Sequence, residues 1–200
     1  KDNNAGKVGL VFKHILCQVA FKAKTQDANM QVEIESINIH NVNTGGIFTI
    51  PTGIPAKKDW QLTGISRTFS IGMNGTTSVN NTSTDVFTKS ILFVPQQLTK
   101  WATTASTPMT IEAADVAKQC YLEIICKISI DDTYPHGTAT KFEKLYVPFE
   151  ADWQPGKRYV YTLIFGGGYT EKGNPVLTPI SFEPSVETWK DENKDINSQQ

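Results

Sequence analysis

Along residues 119–130 nearly every second side chain is apolar. Cys120, Leu122, Ile124, Cys126, Ile128 and Ile130 share one side of an extended chain, and Tyr121, Glu123, Lys127 and Ser129 the other, with Ile125 as the exception. Successive side chains of a strand point to opposite faces, so this run reads as a strand with one face in a core and one largely wet. A period of two recurs along most of the chain, and no other feature restricts the fold as much.

Residues 8–23 are apolar on both faces: Val8, Leu10, Phe12 and Leu16 with His14 on one, Val11, Ile15, Cys17, Val19 and Phe21 on the other. That predicts a long strand buried on both sides, or one that bends between two sheets. Val32, Ile34, Ile37 and Ile39 alternate with one phase break at Glu35 and Ser36, which predicts a β-bulge. Gly45 and Gly46 mark a turn, and residues 47–50 a strand returning as a hairpin, ended by Pro51, Gly53 and Pro55. Residues 59–71 form the next strand candidate, and 73–85, rich in Asn, Thr, Ser and Gly, read as a surface loop. Residues 90–94 form a short apolar strand before Pro95. Residues 112–118 carry the one helical hint.

Residues 133–137 read as a turn, 141–149 as a strand with Leu145, Val147 and Phe149 inward, and Pro155–Gly156 as a second turn. Residues 158–165 place Tyr159, Tyr161, Leu163 and Phe165 on one face. Gly166, Gly167 and Gly168 then read as a bent loop. Residues 176–189, interrupted by Pro179 and Pro184, suit an edge strand or a strand with a bend. The polar stretch 190–200 is expected to be a poorly ordered tail. The sum is an all-β chain, an antiparallel two-sheet β-sandwich, with 1–189 as a single domain.

Composition agrees with a packed domain: 39% of the 200 residues are hydrophobic and 20% charged. A net charge of −1 provides no field for nucleic acid or an anionic membrane. No apolar run approaches the roughly 18 residues that span a bilayer. The first residue is Lys1 rather than Met, so the chain reads as a processed or deliberately shortened form, with any targeting signal out of view.

The chemistry-bearing residues do not assemble into a catalytic motif. Cys120 and Cys126 share a face but lie roughly 20 Å apart along a strand, beyond disulfide reach, so the thiols read as buried small hydrophobes. Whether Cys17 could pair with either depends on strand neighbours. His14, His40 and His136 have no metal-ligand spacing. His14 and Cys17, three apart on a strand, point to opposite faces and form no catalytic pair. The three glycines at 166–168 lack the lysine and helix of a phosphate loop. Asp131 and Asp132 lack the further oxygen ligands of a calcium loop. No enzyme activity, metal or cofactor is expected. Tryptophans at 60, 101, 153 and 189 read as caps on the core. Trp101, flanked by Lys100, Thr103 and Thr104, looks instead like an exposed loop residue. Trp101 and Tyr169 are therefore candidate stacking platforms for a sugar ring.

Several segments in order resemble one family. They are Val8-Gly-Leu-Val-Phe-Lys-His-Ile-Leu, Ile37-Asn-Ile with Gly46-Ile-Phe, Leu92-Phe-Val-Pro-Gln, Trp153-Gln-Pro-Gly-Lys-Arg-Tyr-Val-Tyr-Thr-Leu, and Ile180-Ser-Phe with Val186-Glu-Thr-Trp. The order resembles the C-terminal portion of the fimbrillin-like proteins of Bacteroidales, including the Mfa-type branch. The resemblance implies a transthyretin-like sandwich preceded, in the whole protein, by an N-terminal domain that this chain lacks. It implies a lipid anchor on that absent part as the sole membrane attachment, a place in a fimbrium at the cell surface or outer membrane, and partners that are other fimbrial subunits joined by β-strand addition. Host or bacterial glycans and proteins are further expected partners. One departure is the tail: Ile196 is the sole apolar residue of 190–200, which makes it a poor donor strand and favours a tip or accessory subunit. The two readings carried forward are a non-catalytic structural or adhesive subunit and, as the alternative, a carbohydrate-binding surface module.

Overall fold

The computed structural model describes residues 12–64, 67–73, 75–87, 89–177 and 180–188. The expectations for residues 8–11, for Trp189 and for the tail 190–200 lie outside the described residues. The first strand, β1 (Cys17–Thr25), turns through residues 26–29 into β2 (Met30–Val42). A ribbon follows, β3 (Gly46–Phe48) and β4 (Trp60–Leu62), with a 3-10 turn at Lys57–Asp59 leading into its second strand. Four short strands come next: β5 (Arg67–Ile71), β6 (Thr77–Val79), β7 (Thr84–Asp85) and β8 (Ile91–Phe93). Then come β9 (Gln97–Leu98), the helix α1 (Ile111–Val116), β10 (Tyr121–Ile130), β11 (Thr133–His136) and β12 (Glu143–Pro148). The remainder is β13 (Ala151–Asp152), β14 (Lys157–Phe165), β15 (Gly167–Tyr169), β16 (Pro175–Leu177) and β17 (Ser181–Thr188).

Two sheets carry the fold. The larger runs β16-β15-β12-β10-β2-β5, with β11 also on β10 and β6 also on β2. The smaller runs β17-β14-β1-β7, with β8 also on β1. Their facing sides meet in one core. Val19, Phe21, Tyr161, Leu163 and Phe165 come from the smaller sheet, and Ile34, Ile37, Ile39, Leu122, Ile124, Ile128, Leu145 and Val147 from the larger. This is the β-sandwich that the alternation predicts. In β10, the even-numbered face from Leu122 to Ile128 is fully buried, as read.

The bulge is also present. Ile125 pairs with Ser36 while Cys126 pairs with Ile34, so Glu35 is the extra residue and the apolar phase is restored after it. Tyr159 staples the Pro155–Gly156 turn, its hydroxyl donating to the Asp152 carbonyl at 3.0 Å and accepting from the Gln154 N–H at 2.9 Å.

Several elements differ from expectation. Strand β1 starts only at Cys17 and is buried on one face, and Phe12 is 79% exposed. Its pairing with β14 is parallel, from Gln18 opposite Arg158 to Thr25 opposite Phe165, which requires a long crossover between the two strands. Residues 46–48 pair with 60–62 and not with β2, so residues 59–71 split between the ribbon and the larger sheet. The stretch 73–85 contains β6 and β7, which pair with β2 and β1. The turn expected at 133–137 is the strand β11. The reversal lies one step earlier, at Asp131 and Asp132, both with positive φ (46° and 61°), as a two-residue hairpin needs. The glycine run is no loop: the chain changes sheets at Gly166, and β15 lies so close to β12 that a Cβ on Gly168 would sit 2.7 Å from Leu145 Cγ.

Candidate functional site

The outer face of the larger sheet carries the densest group of polar and aromatic side chains. Register builds it. Glu123 stands opposite Asn38 on one neighbour and Tyr146 on the other, and Tyr146 stands opposite Tyr169. One cross-strand row therefore reads Asn38, Glu123, Tyr146, Tyr169 over β2, β10, β12 and β15. The next row places His40 opposite Tyr121. Directly opposed side chains in a sheet are the ones that interact.

Glu123 is the polar centre. Asn38 Nδ2 and Lys144 Nζ each donate to its carboxylate at 3.0 Å, and His40 Nε2 lies 3.9 Å away. Burial alone pushes the Glu123 carboxyl up, but the hydrogen bonds from Lys144 and Asn38 and the nearby charges of Lys144 and His40 hold it below its ordinary value. His40 stacks on Tyr121 at 4.5 Å and 11°, and its Nδ1 is 3.1 Å from Thr68 Oγ1. Burial lowers its pKa, more than the charges of Glu123 and Asp115 raise it. The Tyr121 hydroxyl donates to Asp115 of α1 at 2.9 Å, and Asn41 Nδ2 donates to the same carboxylate oxygen at 2.9 Å. Helix α1 is capped by Thr110, whose side chain accepts from Ala113 N–H, and these bonds clamp it to the sheet.

The two candidate stacking residues meet here. Trp101 and Tyr169 stand 5.7 Å apart, edge to face, and both are buried, Trp101 completely. The exposure expected of Trp101 from its flanks is overturned. Thr103 and the turn after Tyr169 cover it, with Thr103 Oγ1 donating to the Gly173 carbonyl and Ile111 N–H to the Glu171 carbonyl. Gly173 has φ +78°, and a Cβ there would lie 2.4 Å from the Met109 carbonyl oxygen. Trp101, Ala114, Tyr121, Tyr146 and Tyr169 form a second small core outside the sandwich. The reading of Tyr121 and Glu123 as wet positions missed this cover, which comes from residues remote in sequence.

This arrangement is structural chemistry. On the other side of the sheet, in the main core, burial pushes the Cys17 thiol up to about 12 and the Cys120 and Cys126 thiols higher, so none is an activated nucleophile, and all three are free and buried. Among the described residues, no group of His, Cys, Asp and Glu could hold a metal ion, and no helix is long and apolar enough to cross a membrane. Among the described residues, the sheet edges and the ribbon are further exposed features. Strand β17 is an edge paired only to β14, exposed along most of its length and carrying Pro184, as the proline pattern predicts. Strand β16 is the corresponding edge of the larger sheet.

Comparison with solved structures agrees with this architecture. A fimbrial protein of Bacteroides vulgatus superposes with a TM-score of 0.53 at 14% identity, over 94% of this chain and 59% of that one. A candidate cell adhesion protein of Parabacteroides distasonis gives a TM-score of 0.50 at 10% identity, over 88% of this chain and 52% of that one. The chain thus spans little more than half the length of these structures, and at such identities the likeness speaks for the fold alone. A search of curated proteins found no match. The family model described as fimbrillin-like matches residues 1–189, nearly the whole sequence, and the chain therefore belongs to the fimbrillin-like family.

Proposed function

We propose that the protein is a non-catalytic structural or adhesive subunit of a fimbria-like assembly on the cell surface, acting through its sheet edges and exposed loops. The observation that carries the reading is the fimbrillin-like match over 1–189. Fimbrillin-like proteins are structural subunits and not enzymes. The free edges β16 and β17 support strand addition, in which an incoming segment pairs with exposed main-chain groups while side-chain pockets set its register. In this reading a lipid anchor attaches the protein to the outer membrane, and 1–189 acts as one domain.

The test is the oligomeric state of the full-length mature protein before and after limited proteolysis, by size exclusion with light scattering. SDS-resistant polymers after cleavage are expected for a strand-exchanging subunit. A persistent monomer removes strand exchange and leaves a tip subunit or a binding module, the carbohydrate-binding alternative among them.

A further inference from the structure

Nε2 of His40 is buried and has no hydrogen-bond partner among the described residues. Buried polar atoms are almost always paired, so one left over calls for a physical reason. The rest of the ring is well held. It lies on Tyr121 at 4.5 Å and 11°, and its Nδ1 is 3.1 Å from Thr68 Oγ1 of β5. The free nitrogen faces Glu123, whose Oε2 lies 3.9 Å away.

Neither neutral form of the ring suits this place. With the proton on Nδ1, Nε2 turns a bare lone pair toward a carboxylate oxygen. With the proton on Nε2, the N–H stops short of Glu123, since 3.9 Å exceeds hydrogen-bond range. Only the imidazolium donates from both nitrogens, one to Thr68 Oγ1 and one to Glu123.

The oxygen that His40 faces is already taken. Lys144 Nζ donates to Glu123 Oε2 at 3.0 Å, while Asn38 Nδ2 donates to Oε1 at 3.0 Å. The two rivals for Oε2 differ in burial, with side-chain exposures of 17% for His40 and 56% for Lys144. A half-exposed ammonium can swing into water at small cost, because ion pairs near the surface contribute little. His40 stays in the sheet, held by its stack on Tyr121. Three charged groups act on it: Glu123 of β10 and Asp115 of α1 favour its charged form, and Lys144 of β12 opposes it.

We propose that this corner is an acid-driven exchange of partners: on taking a proton from solvent, His40 donates from Nε2 to Glu123 Oε2 and displaces Lys144, whose ammonium is delivered unpaired to the outer face of the larger sheet. Asn38 holds Glu123 Oε1 throughout. Burial lowers the His40 pKa from 6.5, more than Glu123 and Asp115 raise it, so the exchange sets in below 6.5. It ends where Glu123 itself takes up a proton, below 4.5. Between those limits the face carries one more positive charge and exposes an ammonium that Glu123 neutralised before. A partner docking on this face therefore meets a different charge pattern in acid, and such patterns set encounter rate and specificity.

Nuclear magnetic resonance titration of the whole chain, from neutral to acid, tests the exchange. The ring signals of His40 are assigned by their loss in His40→Phe, and the Nζ and Cε signals of Lys144 by their loss in Lys144→Gln. Lys144 signals that shift with the His40 midpoint support the exchange. Lys144 signals that stay in place, or shift only as the Glu123 carboxylate titrates, overturn it. Lys144→Gln removes the rival and should raise the His40 midpoint, whereas Glu123→Gln removes the acceptor charge and should lower it. A His40 midpoint unmoved by Lys144→Gln overturns the proposal. Should either variant fold poorly, the Lys144 titration of the unmodified chain decides.

Discussion

Glu123 and His40 make the outer face of the larger sheet sensitive to acid. The folded state holds the Glu123 carboxyl below its ordinary value of 4.5, so its contribution is present above that value and is lost as pH falls through the folded pKa. The His40 pKa is lowered from 6.5, so the unfolded chain binds the proton more readily and stability falls as pH drops below 6.5. Both act in the same direction. Urea midpoints should be level above neutrality and decline in two steps on acidification. His40→Phe keeps a ring on Tyr121 and should remove the upper step, and a variant that retains it would show that another group titrates there. Glu123→Ala should cost about 1–2 kcal/mol, because it strands the Asn38 amide and leaves Lys144, itself half-exposed, without its carboxylate. The three thiols should be silent toward a thiol reagent in the native state and all react in denaturant. Trp101→Ala is a core truncation and should cost about 3–5 kcal/mol, so loss of glycan binding in that variant would not identify a contact residue.

At the scale of elements, the cover over Trp101 depends on one backbone position. Gly173→Ala meets both a positive φ and the Met109 carbonyl, and should destabilise by about 1–3 kcal/mol or more. Its first sign should be a change in tryptophan fluorescence below the global unfolding midpoint, as the turn after Tyr169 lifts from Thr103. An unchanged emission spectrum up to that midpoint would mean the cover and the sandwich melt together. The elements legible from sequence were the long ones, β10, β14 and the bulged β2, since alternation over eight or more residues leaves one register that buries the apolar face. The short strands β6 and β7 were not legible. Three residues such as Thr77–Val79 have no period to read, and their pairing is decided by the edges of β1 and β2. Asp131–Asp132 lacks the glycine that usually announces a two-residue hairpin. Of the candidate site, the strands bearing Tyr121 and Glu123 were legible, but not their burial. That burial is supplied by residues 101–116 and 169–174, which contact the sheet only after folding.

For the molecule as a whole, the parallel pair β1–β14 ties the first described strand to one about 140 residues later. Residues of both strands stand in the single inter-sheet core. Unfolding should therefore be one cooperative transition, with fluorescence and far-ultraviolet circular dichroism coincident and the calorimetric enthalpy equal to the van't Hoff value. Two separated transitions would divide residues 1–189 into independent units. The same cooperativity should slow folding, since the central pairing joins distant parts of the chain.

That pairing also bears on how such a chain crosses a barrier before it folds. A sandwich built from consecutive hairpins could collapse segment by segment as it emerged. Here β1 has only the short β7 and β8 along one side until Lys157–Phe165 arrives to take the other. The smaller sheet therefore stays without its central partner strand until residues 157–165 are through.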